Sequence, residues 1–317
     1  MAAQPLSDQV CSETLDAVAL HGGISAAARA MGVNRLTLDA RFREAVRRSN
    51  GSVSRVASHP ARVSLHIENG CAIIFSDAHY WPNEETTAHR ALVRAVKEFM
   101  PRILIANGDI FDGASISRHP RIGWDSTPTV KEEIEAVKIR LGELEEAARG
   151  GAQLVWTLGN HDARYETALA ANSPQYQGVG GFALKDNFPL WMPAWRCDIN
   201  PGTESHTIVK HRWKGGVHAT RNNTANAGVN FVTGHLHSQK VAPLTDARGT
   251  RYGVDSGCLA DPNAGSFIGY TEDGIKDWRS GFAILTYRHG RLLFPELVSV
   301  VSEAAGLVEF RGKEYTV

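Results

Sequence analysis

The stretch ILIANGDIFD (residues 103–112) sets four consecutive apolar residues, Ile103 to Ala106, directly against a polar turn holding a glycine and two aspartates. An apolar run of that length reads as a strand buried on both faces, and the abrupt change of character marks its C-terminal end. The same grammar recurs on either side. CAIIF (71–75) runs into Ser76, Asp77, Ala78 and His79, and QLVWT (153–157) runs into Leu158, Gly159, Asn160, His161 and Asp162. Helical patterns lie between them at 87–100 and 131–148, the second with Ile134, Val137, Leu141 and Leu144 on one stripe. Strands alternating with helices predict a mainly parallel sheet covered by helices. In such sheets ligands bind beyond the carboxyl ends of the strands, so these polar segments are expected to meet in one crevice.

Two more apolar runs end in the same way, 207–210 at His211 and 230–233 at Gly234, His235, Leu236 and His237. Residues i and i+2 of an extended strand point to one side, so Asp77 with His79, and His235 with His237, are expected to offer two ligands together. Glycine before Asp109, Asn160 and His235 lets the backbone turn under a crowded site. The donors are imidazole, carboxylate and carboxamide without thiolate, a set that suits Mn, Fe, Zn, Co or Ni. Strand signals dominate after residue 200 (251–254, 282–287, 292–295) and predict a second sheet.

In order along the chain, Asp77-x-His79, Gly108-Asp109-x-x-Asp112, Gly159-Asn160-His161-Asp162, a lone His211 and Gly234-His235-x-His237 resemble the five motifs of the calcineurin-like metallophosphoesterases. The resemblance spans residues 71–237 and implies an α/β fold, a four-layer αββα sandwich, with two divalent metal ions, Mn foremost. It places one ion on Asp77, His79, Asp109 and His237. The other falls to Asp109, Asn160, His211 and His235, with Asp109 shared. It further implies in-line attack by a hydroxide between the ions, His161 protonating the leaving oxygen and Asp112 orienting the His161 ring. His218 competes with His211, because Arg212 follows His211 where the family often has glycine. Family members of the protein-serine phosphatase type commonly carry arginine directly after the second aspartate. Here Gly113 stands there, which shifts the expectation from monoesters toward diesters. Arg118 and Arg164 flank the motifs as candidate phosphate contacts, with surface ion pairing as the alternative. Tyr80, Trp81 and Trp213 are candidate base-stacking residues or, equally, packing residues.

The N-terminal part has a different character. Residues 1–48 read as a small all-α module, 49–61 as a linker and 62–317 as the phosphoesterase domain. Gly22 and Gly23 end a first helix, and Ser25 is expected to cap a second over 26–31. Gly32-Val33-Asn34 turns into a third helix from Arg35, with Leu38, Phe42 and Ala45 as its apolar stripe. The pattern resembles a helix-turn-helix of the Fis-like or phage-regulator kind. That resemblance implies contact with nucleic acid, DNA foremost: Asn34, Arg35 and Thr37 at base edges, and Arg41, Arg47 and Arg48 on phosphates. Through Arg62 eight arginines face five acids, a net +3 that the remainder of the chain cancels.

The 317 residues, 43% hydrophobic and 21% charged with 34 basic and 34 acidic side chains, exclude disordered, collagen-like and coiled-coil classes. No apolar run reaches the roughly 18 residues of a membrane helix, and no secretory signal is legible. A cytoplasmic protein without a membrane partner is expected, in the host cytoplasm if it is phage-encoded. Cys11, Cys71, Cys197 and Cys258 have no metal-finger or redox spacing and are expected as free thiols. The leading expectation is a dinuclear-metal phosphodiesterase, a nuclease brought to DNA by its N-terminal module. The alternatives are a phosphatase or nucleotide phosphodiesterase for a small substrate with an N-terminal assembly module, and a DNA-binding or assembly protein with a vestigial metal site.

Overall fold

A computed structural model of the chain describes residues 6–21, 24–52, 59–118, 126–265, 267, 271–272 and 274–317, with backbone alone at 8, 19 and 46–52. Two compact units emerge, Met1–Ser58 and His59–Val317. The first holds α1 (Asp8–His21), α2 (Ile24–Ala30) and α3 (Arg35–Ser52). Gly32 takes a φ of 65° after α2, which glycine adopts without a Cβ penalty. Asn34 caps α3 by accepting the Leu36 N–H at 2.8 Å. Ala27, Ala28 and Leu38 are buried, with Ala17, Val18, Ile24, Met31 and Val33 packed against them, so small side chains let these helices approach closely.

Two boundaries depart from the sequence reading. α2 begins at Ile24, which makes Ser25 a helical residue and not the cap. α3 continues to Ser52, into the expected linker, because extending a helix already nucleated costs little even through serine and glycine. Residues 53–58 of that linker lie outside the described residues.

The second unit runs β1 (Val63–Leu65), β2 (Gly70–Phe75), α4 (Thr87–Phe99), β3 (Ile103–Ala106), α5 (Val130–Ala148), β4 (Gln153–Thr157), α6 (Asp162–Asn172) and α7 (Leu184–Asn187). There follow β5 (Met192–Ala194), β6 (Cys197–Ile199), β7 (Thr207–Val209), α8 (Ala219–Ala227), β8 (Asn230–Thr233), β9 (Lys240–Asp246) and β10 (Gly249–Asp255). The chain closes with β11 (Gly281–Arg288), β12 (Arg291–Leu292), β13 (Glu296–Ser302), β14 (Leu307–Phe310) and β15 (Lys313–Thr316). One sheet has the order β15-β14-β13-β11-β2-β3-β4-β5, with β12 paired to β11, and the other β1-β6-β7-β8-β10-β9.

Alternation along the strands assigns each residue to a layer. Cys71, Ile73 and Phe75 of β2, with Leu104, Ala106 and Trp156, face a core shared with Leu92 and Val96 of α4 and Val137, Leu141 and Leu144 of α5. Ala72, Ile74, Ile103, Ile105 and Val155 face the other way, onto Ile199, Val209, Val232 and Val254 of the second sheet. Because both faces are covered, the strands read as continuous apolar runs. α8 packs on β8, β9 and β10 beyond the second sheet. Gly253 permits that approach, since a Cβ there would strike the Thr220 carbonyl. Thr86 caps α4, and a Thr129–Glu132 capping box starts α5.

Register then positions the site. Phe75 pairs with Ala106 and Ala106 with Trp156, so β2, β3 and β4 end within one residue of one another and their polar turns lie side by side. Beyond the sequence reading lie β13 to β15, which extend the first sheet antiparallel from β11. All four cysteines are buried free thiols. Among the described residues no helix is long and apolar enough to cross a membrane.

Candidate metal centre

The turns after β2, β3, β4, β7 and β8 are stitched together by their own backbone. Asp77 and His79 donate their N–H groups to the Gly108 and Asp109 carbonyls at 2.9 and 3.0 Å, and Gly234 donates to the His211 carbonyl at 3.0 Å. Carboxylates join in: Asp109 Oδ1 accepts the His161 N–H at 2.8 Å and Asp77 Oδ2 accepts that of His235 at 2.8 Å. Asp77, His79, Asp109, His235 and His237 all adopt left-handed φ values between 42° and 71°. Non-glycine residues hold that region at an energetic cost, and such strain collects at functional sites. This corrects the expectation from extended geometry. The paired ligands are aimed by tight turns just past the strand ends, and His235 and His237 diverge into different clusters.

Two clusters form. Ligand atoms of Asp77, His79 and His237 lie within 4.8 Å of one another, and so do those of Asp109, His211 and His235. His237 Nε2 stands 3.0 Å from Asp77 Oδ1, and His211 Nε2 stands 3.0 Å from Asp109 Oδ2. His211 is buried and its Nδ1 meets the Asn107 carbonyl at 2.8 Å, which turns Nε2 toward Asp109. His218, its competitor, is an exposed residue just before α8 and belongs to neither cluster.

A third grouping joins His79, Asp112 and His161. Asp112 Oδ1 lies 2.8 Å from both His79 Nδ1 and His161 Nδ1, so one carboxylate orients both rings, which stand edge to face at 4.7 Å. Arg164, from α6, donates to the Asp112 carbonyl at 2.9 Å and to His161 Nε2 at 3.1 Å. Among the described residues it has no carboxylate within ion-pair distance. A Cβ on Gly113 would meet Arg164 Cδ at 3.3 Å, so this guanidinium side chain fills the space beside the glycine.

The electrostatics are those of a cation site. Burial alone would raise Asp77, yet the His237 and His211 rings hold it at about 2. Asp109 and Asp112, which burial would likewise raise, are held well below the usual range by His211 and by His161 with His79, respectively. Burial opposes charge on His211, but Asp109 and Asp77 push it up to about 9. His161 is raised against its burial by Asp112 and Asp109, and His235 is lowered by burial and by His211.

These residues fit a pair of divalent cations on three grounds. Asn160 Oδ1 and His211 Nε2 are buried without a hydrogen-bond partner; the 3.0 Å approach of Nε2 to Asp109 lacks hydrogen-bond alignment. Each is a buried electron-pair donor of the kind that a bound cation satisfies. Gly108, Gly159 and Gly234 form the floor: a Cβ would strike the His211 ring, the Asp109 carboxylate, and Ser76 with Asp77, respectively. The donors are nitrogen and oxygen only.

Sequence reasoning missed the residue that ties the turns together. Asp162 is buried and accepts N–H groups from Asp109 at 2.9 Å, Ile110 at 3.0 Å, Phe111 at 3.1 Å and Gly159 at 2.8 Å, with the Trp156 indole at 2.9 Å. Only its place after Asn160-His161 hinted at a role. Trp278, with its ring 4.4 Å from His237, and Phe267, 5.9 Å from His79, wall the first cluster from a distant part of the chain. Arg118 is exposed and takes no part in the clusters' described contacts, while its neighbour His119 lies outside the described residues. Tyr80 is a packing residue, its hydroxyl 2.8 Å from buried His89. In the first unit Arg35 and Thr37 are exposed and Arg41 half-buried; the Arg47 and Arg48 side chains lie outside the described residues. The Asn34 side-chain oxygen is engaged as the cap of α3.

Fold and site together define a metal-dependent phosphoesterase, a hydrolase of phosphoester bonds. A sequence profile for calcineurin-like phosphoesterases matches residues 72–235, more than half of the chain, and the protein belongs to that family. No curated protein matches it. Among solved structures it is similar to Vps29 from Entamoeba histolytica complexed with zinc, at 12% identity, 77% of this chain and 98% of that one, with a TM-score of 0.42. It is also similar to the E. coli phosphoesterase YfcE (15%, 71% and 97%, 0.34) and to a dimetal phosphatase from Danio rerio (9%, 78% and 98%, 0.37). The family assignment rests on the sequence match and not on these low scores.

Proposed function

We propose that this protein is a phosphodiesterase of nucleic acid, DNA foremost, working at the paired clusters, and that the N-terminal unit is a helix-turn-helix that delivers it to its substrate. The observation that carries the reaction is the convergence of two separate imidazole–carboxylate clusters beside the His161–Asp112 pair. Asp77, His79 and His237 would hold one cation and Asp109, Asn160, His211 and His235 the other, with Asp109 shared as the resemblance assigns. Two divalent ions so held lower the pKa of water and offset the charge of a phosphate. Asp112 accepts the hydrogen bond of His161 Nδ1–H and fixes the ring, leaving Nε2 to pass a proton to the departing oxygen. Arg164, beside that nitrogen, turns to a phosphate oxygen when substrate arrives.

Support for DNA delivery comes from the exposed Arg35 and Thr37 on the first turn of α3, after the Gly32 turn, and from the basic excess of this unit. One observation favours the small-substrate reading with an assembly module: Leu20 and Leu36 are 80% and 73% exposed, as a helical docking face would have them. The test uses full-length wild type and an Arg35→Ala/Thr37→Ala variant with Mn, measuring DNA binding and cleavage beside turnover of bis(p-nitrophenyl) phosphate and its monoester. Weakened DNA binding with small-diester turnover intact supports the proposal. Unchanged DNA affinity, or strong monoester turnover without diester turnover, defeats it.

A further inference from the structure

Beside the second cluster lies a groove of about 220 Å³ that the mechanism does not use, lined by Arg212, Trp213, Lys214 and Gly215 on one side and by Thr233 to Leu236 on the other. It shares His235 with the candidate metal centre, so a molecule bound in the groove extends directly to the place of reaction. Trp213 rests on Phe231, ring centres 5.4 Å apart and planes 27° from parallel, yet remains 46% exposed. A tryptophan serving only the core would be covered; this one is backed by an aromatic ring and open to solvent. The Lys214 ammonium lies over the Trp213 ring, 5.5 Å from its centre, a cation–π contact that an incoming base displaces, and Arg212 follows His211 directly. Among the described residues neither cation has a carboxylate within ion-pair distance.

The segment is also held in place. Buried Asn223 of α8 accepts the Lys214 N–H at 3.2 Å and donates to the Lys214 carbonyl at 3.2 Å. Anchoring both backbone polar groups of one residue fixes the loop before any ligand binds and lowers the ordering cost of binding. A flat, half-exposed indole backed by Phe231, with two cations that have no carboxylate partner among the described residues, is the chemistry that receives a base and its phosphate.

We propose that this groove is a nucleotide subsite, in which the base next to the scissile phosphodiester stacks on Trp213 while Arg212 and Lys214 meet the neighbouring phosphate. The inference rests on the phosphodiesterase reading and deepens it by naming where the nucleoside is recognised. Stacking on an aromatic side chain is removed by alanine and retained by phenylalanine. Trp213→Ala is therefore expected to raise KM for a thymidine dinucleotide about tenfold more than it raises KM for a dialkyl phosphodiester, with Trp213→Phe close to wild type. Both assays use full-length protein with Mn. An equal change in the two substrates, or none in either, overturns the subsite. If no diester is turned over at all, the phosphodiesterase reading has failed separately, and fluorescence of wild type against Trp213→Phe titrated with thymidine monophosphate still decides. Quenching that depends on Trp213 supports the subsite, and its absence overturns it.

Discussion

Exchanging Asp162 for asparagine probes whether one buried carboxylate holds the metal-site turns together. Its Oδ2 accepts the Asp109, Gly159 and Trp156 donors, and its Oδ1 those of Ile110 and Phe111. Burial and repulsion from Asp109 push this carboxyl upward, while the surrounding N–H donors leave no acceptor on which its proton would be useful. An asparagine of the same shape keeps one acceptor. With its oxygen on the more crowded side, its NH2 faces the N–H groups of Ile110 and Phe111 and strands both. At about 1–3 kcal/mol for each stranded buried donor, the expected loss is about 2–6 kcal/mol. That is a large share of the ~5–15 kcal/mol that holds a typical domain folded. Urea unfolding in EDTA, followed by circular dichroism, reads the effect without metal. At a slope near 3 kcal/mol/M the midpoint falls by about 0.7–2 M. A midpoint within about 0.3 M of wild type at equal slope would refute the reasoning.

His161→Gln is expected to lower kcat by about 10²–10⁴ for diesters with alkoxide leaving groups and far less for nitrophenyl esters, whose leaving oxygen needs no proton; equal losses on both would remove His161 from the acid role. Glu133 carries a pH signature outside the ligand set. Its carboxylate accepts the Gly113 and Ala114 N–H groups at 2.7 and 3.0 Å, while burial and the neighbouring Asp112 push it up to about 7. A carboxyl raised on folding favours the folded state fully below its ordinary range, and that contribution is lost as pH rises through about 7. Wild type is therefore expected to lose up to about 3 kcal/mol relative to Glu133→Gln between pH 4.5 and 8, read from urea midpoints; a constant difference across that range contradicts it. Gly159→Ala drives a Cβ into the Asp109 carboxylate, so calorimetric titration with Mn should show the second ion lost; two ions bound at wild-type affinity would count against the floor described here.

The catalytic segments were legible because each signal is local: an apolar run buried on both faces breaks at once into His, Asp and Asn, and Phe75, Ala106 and Thr157 are the last residues of their strands. His211 outranked His218 on the same ground, since only the former follows a strand. What stayed hidden depends on the tertiary fold. No pattern around Asp162 announces that its carboxylate gathers N–H groups from the turns after β3 and β4, and nothing near Trp278 places it against His237, far away in sequence. Extended geometry failed for Asp77 and His79 because the turns force both into left-handed backbone, a state that residue type alone does not reveal. The last strands escaped notice because β13 and β14 are half-exposed, with mixed rather than continuous apolar character.

Crystals of the full chain grown with Mn, with anomalous scattering recorded at the metal edge, measure the central claim without recourse to activity. Two peaks about 3.5–4 Å apart are expected, one against Asp77, His79 and His237 and the other against Asn160, His211 and His235, with Asp109 touching both. A single peak, or peaks remote from Asp109, would contradict the account.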